Sequence, residues 1–332
     1  MSGIRRLVPG LALLVVCGLI ARWLAEFVPL GSPLVVVIGV SALIANAVGI
    51  PESAEPGVDT HGRWLEAGIV LMGASVGLER LIEAGGPVLL VVVTAVCVSI
   101  VSVEVLARFL LPVPEKLGSL LAAGSSICGV SAVAAVAASI DPDRRQVAYA
   151  AGTILLFDAV TLVVYPIVGR TLGLSDLVFG VWAGATMFST GPVTAAGFAY
   201  SQPAGEWAVI VKLARNALIG AVAVGYATYY SRDGGSEAFT GMRLLRIWRT
   251  VPAFIVGFLA LVVLATLGAF SSAQIAAMDR VSSWLFLVAF AGLGFRIDVR
   301  EFFDVGMRPA AVVLAGLFVV STSVLLVLRA VF

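Results

Sequence analysis

The residues able to do chemistry in this chain stand inside long apolar runs. Lys212 and Arg215 are spaced i, i+3, which puts both cations on one face of a helix, with Asn216 adjacent. Asp158, in Leu155-Leu-Phe-Asp-Ala-Val, is a carboxylate well inside another run. A charge at membrane depth costs about 2.5–3.5 kcal/mol on insertion scales, so it should face a cavity, a partner or a substrate. The two cations could supply positive charge to an anion, or snorkel to an interface marked by Trp207. Asp158 could pair with them statically, or carry a coupling H⁺ or Na⁺. Two stretches of small residues add backbone chemistry. Gly124–Ala132 holds Ser125, Ser126, Cys128, Gly129 and Ser131. Phe188–Thr194 holds Ser189, Thr190, Gly191, Pro192 and Thr194, and the proline removes a helical N–H. A helix broken at either place would present free N–H groups and hydroxyls, and the N-terminus of a half-helix favours an anion. The same residues also fit a stripe for close helix packing or a plain kink.

Other chemistries find little support. The single histidine, His61, reads as a solvated loop residue beside Gly62 and Arg63, so no histidine-based triad is expected. Cys17, Cys97 and Cys128 lie in apolar runs without metal-ligand spacing. There is no P-loop and no H-E-x-x-H, and no G-x-S-x-G stands in an elbow context. A net charge of +1 gives no field for nucleic acid. The expectation is a transporter rather than an enzyme, with no cofactor or metal beyond a coupling ion.

The elements that must position these residues are membrane helices. Of the 332 residues 60% are hydrophobic and 12% charged, about half the charge of a soluble domain. The mean hydropathy is +1.07. Such a chain cannot cover itself with polar surface, and its outer face is expected to meet lipid. A spanning helix needs about 20 mostly apolar residues. Eleven segments approach this: 7–24, 33–50, 64–80, 86–110, 118–140, 146–170, 177–200, 206–230, 250–269, 279–296 and 309–330. The longest polar connection is 231–249. The first run follows Arg5 and Arg6 like a signal peptide, but Arg22 and Trp23 come next in place of small residues, so it reads as a helix. With the N-terminus cytoplasmic, thirteen Lys and Arg residues fall inside and six outside. That favours N-in, C-out in the cytoplasmic (inner) membrane.

Two internal echoes appear. Gly73–Gly85 resembles Gly294–Gly306, and Ser126–Ala132 resembles Ser189–Ala195. Weak internal similarity is expected of transporters built from repeats, but these two imply different offsets.

Gly124-Ser-Ser-Ile-Cys-Gly-Val-Ser-Ala-Val-Ala-Ala135 resembles the signature of the YeiH-like membrane proteins named as sulfate exporters. Ser32-Pro-Leu34 with Asn46, Gly68–Gly73, Tyr165-Pro166, Ala195–Gly197, Lys212-x-x-Arg215 and Ala291–Gly294 follow that family's order. The resemblance implies a fold similar to the bile-acid symporter and cation–proton antiporter superfamily. That fold would be all-α, with two inverted five-helix repeats (31–175 and 176–332) after an extra N-terminal helix (1–30), in one domain over 1–332. Two crossing helices would be broken, at Ser125–Ser131 in the fifth and Ala291–Arg296 in the tenth. The Ser126/Ser189 echo does not follow that pairing and is set aside. The family also carries a His–acid pair in its seventh helix, where this chain has Phe188-Ser189. Asp158 stands where relatives carry a small residue. Coupling has then either moved to Asp158 or been lost.

The expected protein is therefore a secondary transporter of a small anion such as sulfate, sulfite or a sulfonate. Ser125, Ser126, Cys128, Gly129 and Ser131 would line one wall of its site. Ser189, Thr190 and Thr194 would line the other, Lys212 and Arg215 would add charge, and Asp158 would couple. A homodimer in the lipid bilayer is an allowed assembly. The rivals are a Na⁺/H⁺ antiporter-like protein and an uncoupled channel or membrane sensor.

Overall fold

The computed structural model describes residues 2–27, 33–76, 78–231, 253–297 and 306–331. Among them every regular element is a helix. Six helical stretches are long and apolar enough to cross a membrane: Arg6–Ala25, Gly85–Leu110, Arg144–Thr171, Gln202–Tyr230, Ser272–Phe295 and Met307–Ala330. Nearly all of the 231–249 connection lies outside the described residues, as do Ser32 and the loop charges Asp298, Arg300, Glu301 and Asp304.

In chain order the helices are α1 (Ser2–Ala25), α2 (Pro33–Ala47), the single turn α3 (Glu55–Val58), α4 (His61–Met72) and α5 (Leu78–Val105), which continues as a π-helical turn, Leu106–Leu110. Then come α6 (Glu115–Ser126), α7 (Val130–Ile140), α8 (Arg144–Thr171), α9 (Asp176–Thr186) and α10 (Thr190–Tyr200). The last are α11 (Gln202–Asn216), α12 (Ile219–Ser231), α13 (Ala253–Thr266), α14 (Ser272–Phe295) and α15 (Met307–Val331). The segment expected at 64–80 ends as a helix at Met72, and α5 begins well before the expected residue 86.

The helices form two compact units, residues 1–83 with 253–300, and 84–252 with 301–332. In the first unit α14 lies against α1, α2 and α4. Ser282 Oγ donates to Gly68 O at 2.8 Å, and Arg22 sits over the Trp284 ring. The break expected at Ala291–Arg296 is not found, for α14 runs unbroken to Phe295. Its glycines serve close packing instead. A Cβ on Gly292 would lie 2.2 Å from His61 Cβ, and one on Gly294 2.5 Å from Ile38 O. His61 is accordingly no loop residue: it opens α4, its Nδ1 3.1 Å from Val58 O. Arg296 pairs with Asp59 at the same end.

In the second unit two apolar runs are each cut in the middle. α6 and α7 are separated by Ile127–Gly129, and α9 and α10 by Met187–Ser189. The first cut is made by Gly129, at φ +69°, a region L side chains rarely enter. The second cut is one turn earlier than Pro192 itself. Pro192 is the third residue of α10, where a missing N–H costs no intrahelical bond. Small residues hold α9, α10 and α11 almost backbone to backbone. A Cβ on Gly180 or Gly184 would come within 2.6 Å of Ala204 O or Ala208 O, and one on Gly197 within 2.9 Å of Gly205 Cα. This packing carries Lys212 and Arg215 to the cut in α9–α10. Asp143 with Gln146 forms a capping box that starts α8, the helix bearing Asp158.

Candidate functional site at the junction of two broken helices

Lys212 and Arg215 are buried, at 0% and 1% exposure. Their expected helix face points at the C-terminal ends of α6 and α9. Lys212 Nζ donates to Ile127 O at 2.6 Å, to Met187 O at 3.0 Å and to Phe188 O. An ammonium has three protons, and all three are on carbonyls. Arg215 Nε donates to Ser126 O at 2.5 Å, and Nη1 to Met187 O at 2.5 Å and Gly184 O at 3.4 Å. Its Nη2 donates to Ser125 O. The cations do not snorkel, and among the described residues neither forms a direct ion pair with Asp158. They cap two half-helices whose last carbonyls have no helical partner. They also sit where the helix dipole is negative.

The N-terminal ends of α7 and α10 meet in the same place. A Cβ on Gly129 would lie 2.1 Å from Ser189 Oγ, so the two N-cap residues touch. Gly129 has no side chain to cap α7, and the Ser189 hydroxyl makes no capping bond to α10. Among the described residues the N–H groups of Val130 and Ser131 in α7, and of Thr190 and Gly191 in α10, have no acceptor. Asp158, 3% exposed, reaches in from α8, and its Oδ1 accepts the Ser189 N–H at 2.9 Å. Its Oδ2 is buried without a hydrogen-bond partner.

The remaining expected site residues distribute around this junction. The hydroxyls of Ser125 and Ser126 are turned back to Leu121 O and Ala122 O, each at 2.6 Å. These serines thus contribute carbonyls rather than hydroxyls or half-helix N–H groups, because they end a half-helix instead of starting one. Thr194 Oγ1 likewise donates within its own helix, to Thr190 O at 2.7 Å. Thr190 Oγ1 accepts from Asn216 Nδ2 at 3.2 Å. Cys128 is half-buried and Ser131 exposed, as Ser189, Thr190 and Gly191 are half-buried, so the junction is closed at its carbonyl ends and more open at its N–H ends. The sequence did not single out Asn216 beyond its adjacency, nor the carbonyls of Gly184 and Met187. A backbone acceptor carries no signature in the residue alphabet. The echo of Ser126–Ala132 in Ser189–Ala195 was one available signal beside Gly191-Pro192, since both stretches prove to be junctions.

A sequence profile described as Conserved hypothetical protein 698 matches residues 9–313. A UPF0324 membrane protein of Corynebacterium glutamicum is 32% identical over 307 residues, covering 92% of this chain and 87% of the relative. One from Nitratidesulfovibrio vulgaris is 29% identical, covering 90% and 86%. One from Bacillus cereus is 30% identical, covering 92% and 87%. Matches of this extent, together with six apolar helices of spanning length, make the chain a membrane protein that belongs to the UPF0324 family, the family of Conserved hypothetical protein 698.

Proposed function

We propose that this protein is a secondary active transporter of a small anion of the sulfate, sulfite or sulfonate class, and not an enzyme. The reading is carried by one observation: α7 and α10 begin side by side with four N–H groups unpaired, while the opposite ends of the junction are already neutralised. Each half-helix end carries roughly half a charge. Two cations offset two C-termini and the Asp158 carboxylate, and the two N-termini leave about one positive charge unmatched. An anion at the N–H ends completes that balance. Lys212 and Arg215 then act on the anion by neutralising carbonyl ends, with no direct contact needed.

The wider frame stays that of the resemblance: about eleven spanning helices in two inverted repeats, N-terminus cytoplasmic, in the inner membrane, with a homodimer allowed. Each compact unit draws segments from both expected repeats, 31–175 and 176–332. Asp158 would couple anion movement to H⁺ or Na⁺.

The test is counterflow of labelled sulfate or sulfite in proteoliposomes of the full chain. Saturable exchange, accelerated by unlabelled anion on the far side, is expected. Flux that does not saturate, or binding without flux, would move the reading to a channel or sensor. The unpartnered Asp158 Oδ2 favours one second reading, Na⁺/H⁺ exchange. A Na⁺-driven pH change in vesicles free of permeant anion would establish it.

A further inference from the structure

We infer that the junction selects an oxyanion that carries a proton of its own, such as hydrogen phosphate, hydrogen sulfite or bicarbonate, over one that carries none, such as sulfate. The inference rests on the reading above that the junction binds an anion, and it revises the class named there: hydrogen sulfite stays within it, sulfate is disfavoured, and other protonated oxyanions are added.

The junction is not built of donors alone. The Asp158 carboxylate is fixed at the head of α10, because Oδ1 holds the Ser189 N–H at 2.9 Å. Oδ2 is attached to the same carbon, so it lies within the same first turn, buried and unpartnered. From α11, Asn216 is anchored by Nδ2 to Thr190 Oγ1, and its Oδ1 is also buried and unpartnered. Asp158 and Asn216 are 3% and 5% exposed, so water does not reach these oxygens freely. Two residues with a buried, unpartnered acceptor, one from α8 and one from α11, are therefore held at the head of α10, Asp158 by the Ser189 N–H and Asn216 by Thr190 Oγ1.

A sulfate ion only accepts hydrogen bonds. It suits the N–H groups but sets lone pairs against Asp158 Oδ2 and leaves that oxygen without a partner. An ion with an O–H satisfies both kinds of group, its bare oxygens on the N–H ends and its proton on Oδ2. A site built to hydrogen-bond a ligand O–H rejects the analogue lacking it by up to about 10⁴–10⁵-fold where the groups are fully buried. Here Ser189 and Thr190 are half-buried, and the expected preference is on the order of a hundredfold.

Phosphate and sulfate make the test sharp. At mildly alkaline pH phosphate is chiefly the monohydrogen dianion, so both ions are tetrahedral and doubly charged and differ by one proton. Titration calorimetry on the purified full chain in detergent should show phosphate binding about a hundredfold tighter than sulfate. Arsenate should exceed selenate in the same way. Asp158→Asn keeps an oxygen for the Ser189 N–H and places an N–H donor where Oδ2 stood, so its preference should turn toward sulfate. Equal affinities in the unaltered protein, or tighter sulfate, overturn the selection while leaving anion transport standing. A preference that Asp158→Asn does not change overturns the assignment to Asp158. Absence of binding by all four anions overturns both readings. If the variant fails to fold, the two ion pairs measured on the unaltered protein still decide.

Discussion

Lys212 is the residue whose removal most directly tests the junction. In Lys212→Met the apolar stem is kept and the ammonium is lost. Three charge-assisted hydrogen bonds disappear, at about 1.5–3 kcal/mol each. The desolvation penalty of a buried ammonium, several kcal/mol, disappears with them and offsets most of that loss. What remains is the fate of the carbonyls. Met187 O keeps Arg215 Nη1 at 2.5 Å. Ile127 O and Phe188 O, to which Lys212 donates, keep no donor. Two orphaned buried acceptors cost about 1–3 kcal/mol each, giving roughly 2–6 kcal/mol in all. At about 2–4 °C per kcal/mol for a large domain, Tm should fall on the order of 10 °C.

The assay is thermal unfolding in detergent followed by tryptophan fluorescence. Lys116→Met is the control, since that ammonium is exposed and holds only Asp141 O, at 2.7 Å. It should change stability by no more than about 0.5 kcal/mol. If the two variants shift Tm equally, or Lys212→Met shifts it not at all, the carbonyl-capping argument is wrong.

Other expectations follow from the same contacts. Lys212 and Arg215 share Met187 O, so the double Met variant should be worse than the sum of the singles by about 1–3 kcal/mol in a double-mutant cycle. Gly129→Ala combines a positive φ with a Cβ 2.1 Å from Ser189 Oγ. It should cost at least about 1–2 kcal/mol by thermal unfolding and abolish anion counterflow. At the other end of α6, Glu104 accepts from Ser119 Oγ and Tyr226 OH at 2.8 Å and pairs with Arg108 at 2.8 Å. That pair is partly exposed, so Glu104→Gln should cost only about 1 kcal/mol and leave counterflow intact.

The sequence made the helices legible because burial in lipid demands long apolar runs, and it made Lys212, Arg215 and Asp158 legible because charges in such runs stand out. It placed the first break correctly, since Gly129 must adopt a backbone few residues tolerate. The second break was displaced to Ala291–Arg296 by the pairing that the resemblance implies, although Gly191-Pro192 had already marked the right run. Glycine alone does not distinguish a break from a close contact. Gly292 and Gly294 make room for His61 and for Ile38 O, while Gly129 turns the chain. Only the neighbours across space separate these uses, and a single sequence does not state them. The same gap hid the partners of the cations. A carboxylate in another apolar run looked like the natural counter-ion, whereas the carbonyls of two half-helix ends hold them instead.

Phe188-Ser189 takes on a different meaning once these partners are known. By the resemblance this is where relatives carry a His–acid pair. In this chain Phe188 O accepts from Lys212 and the Ser189 N–H is held by Asp158. A carboxylate therefore still stands at the head of α10, though it is supplied by α8. A carboxylate stabilises a helix N-terminus from any helix that can reach its first N–H. The relocation changes what the carboxylate can do. An acid within α10 would move with that half-helix, whereas Asp158 is tied to α8 and holds α10 by the Ser189 N–H bond. Motion of α10 relative to α8 would break that bond and free Oδ1 as well as Oδ2. The affinity of the junction for a proton or for a protonated anion would then differ between the two conformations, and that difference is what coupling requires.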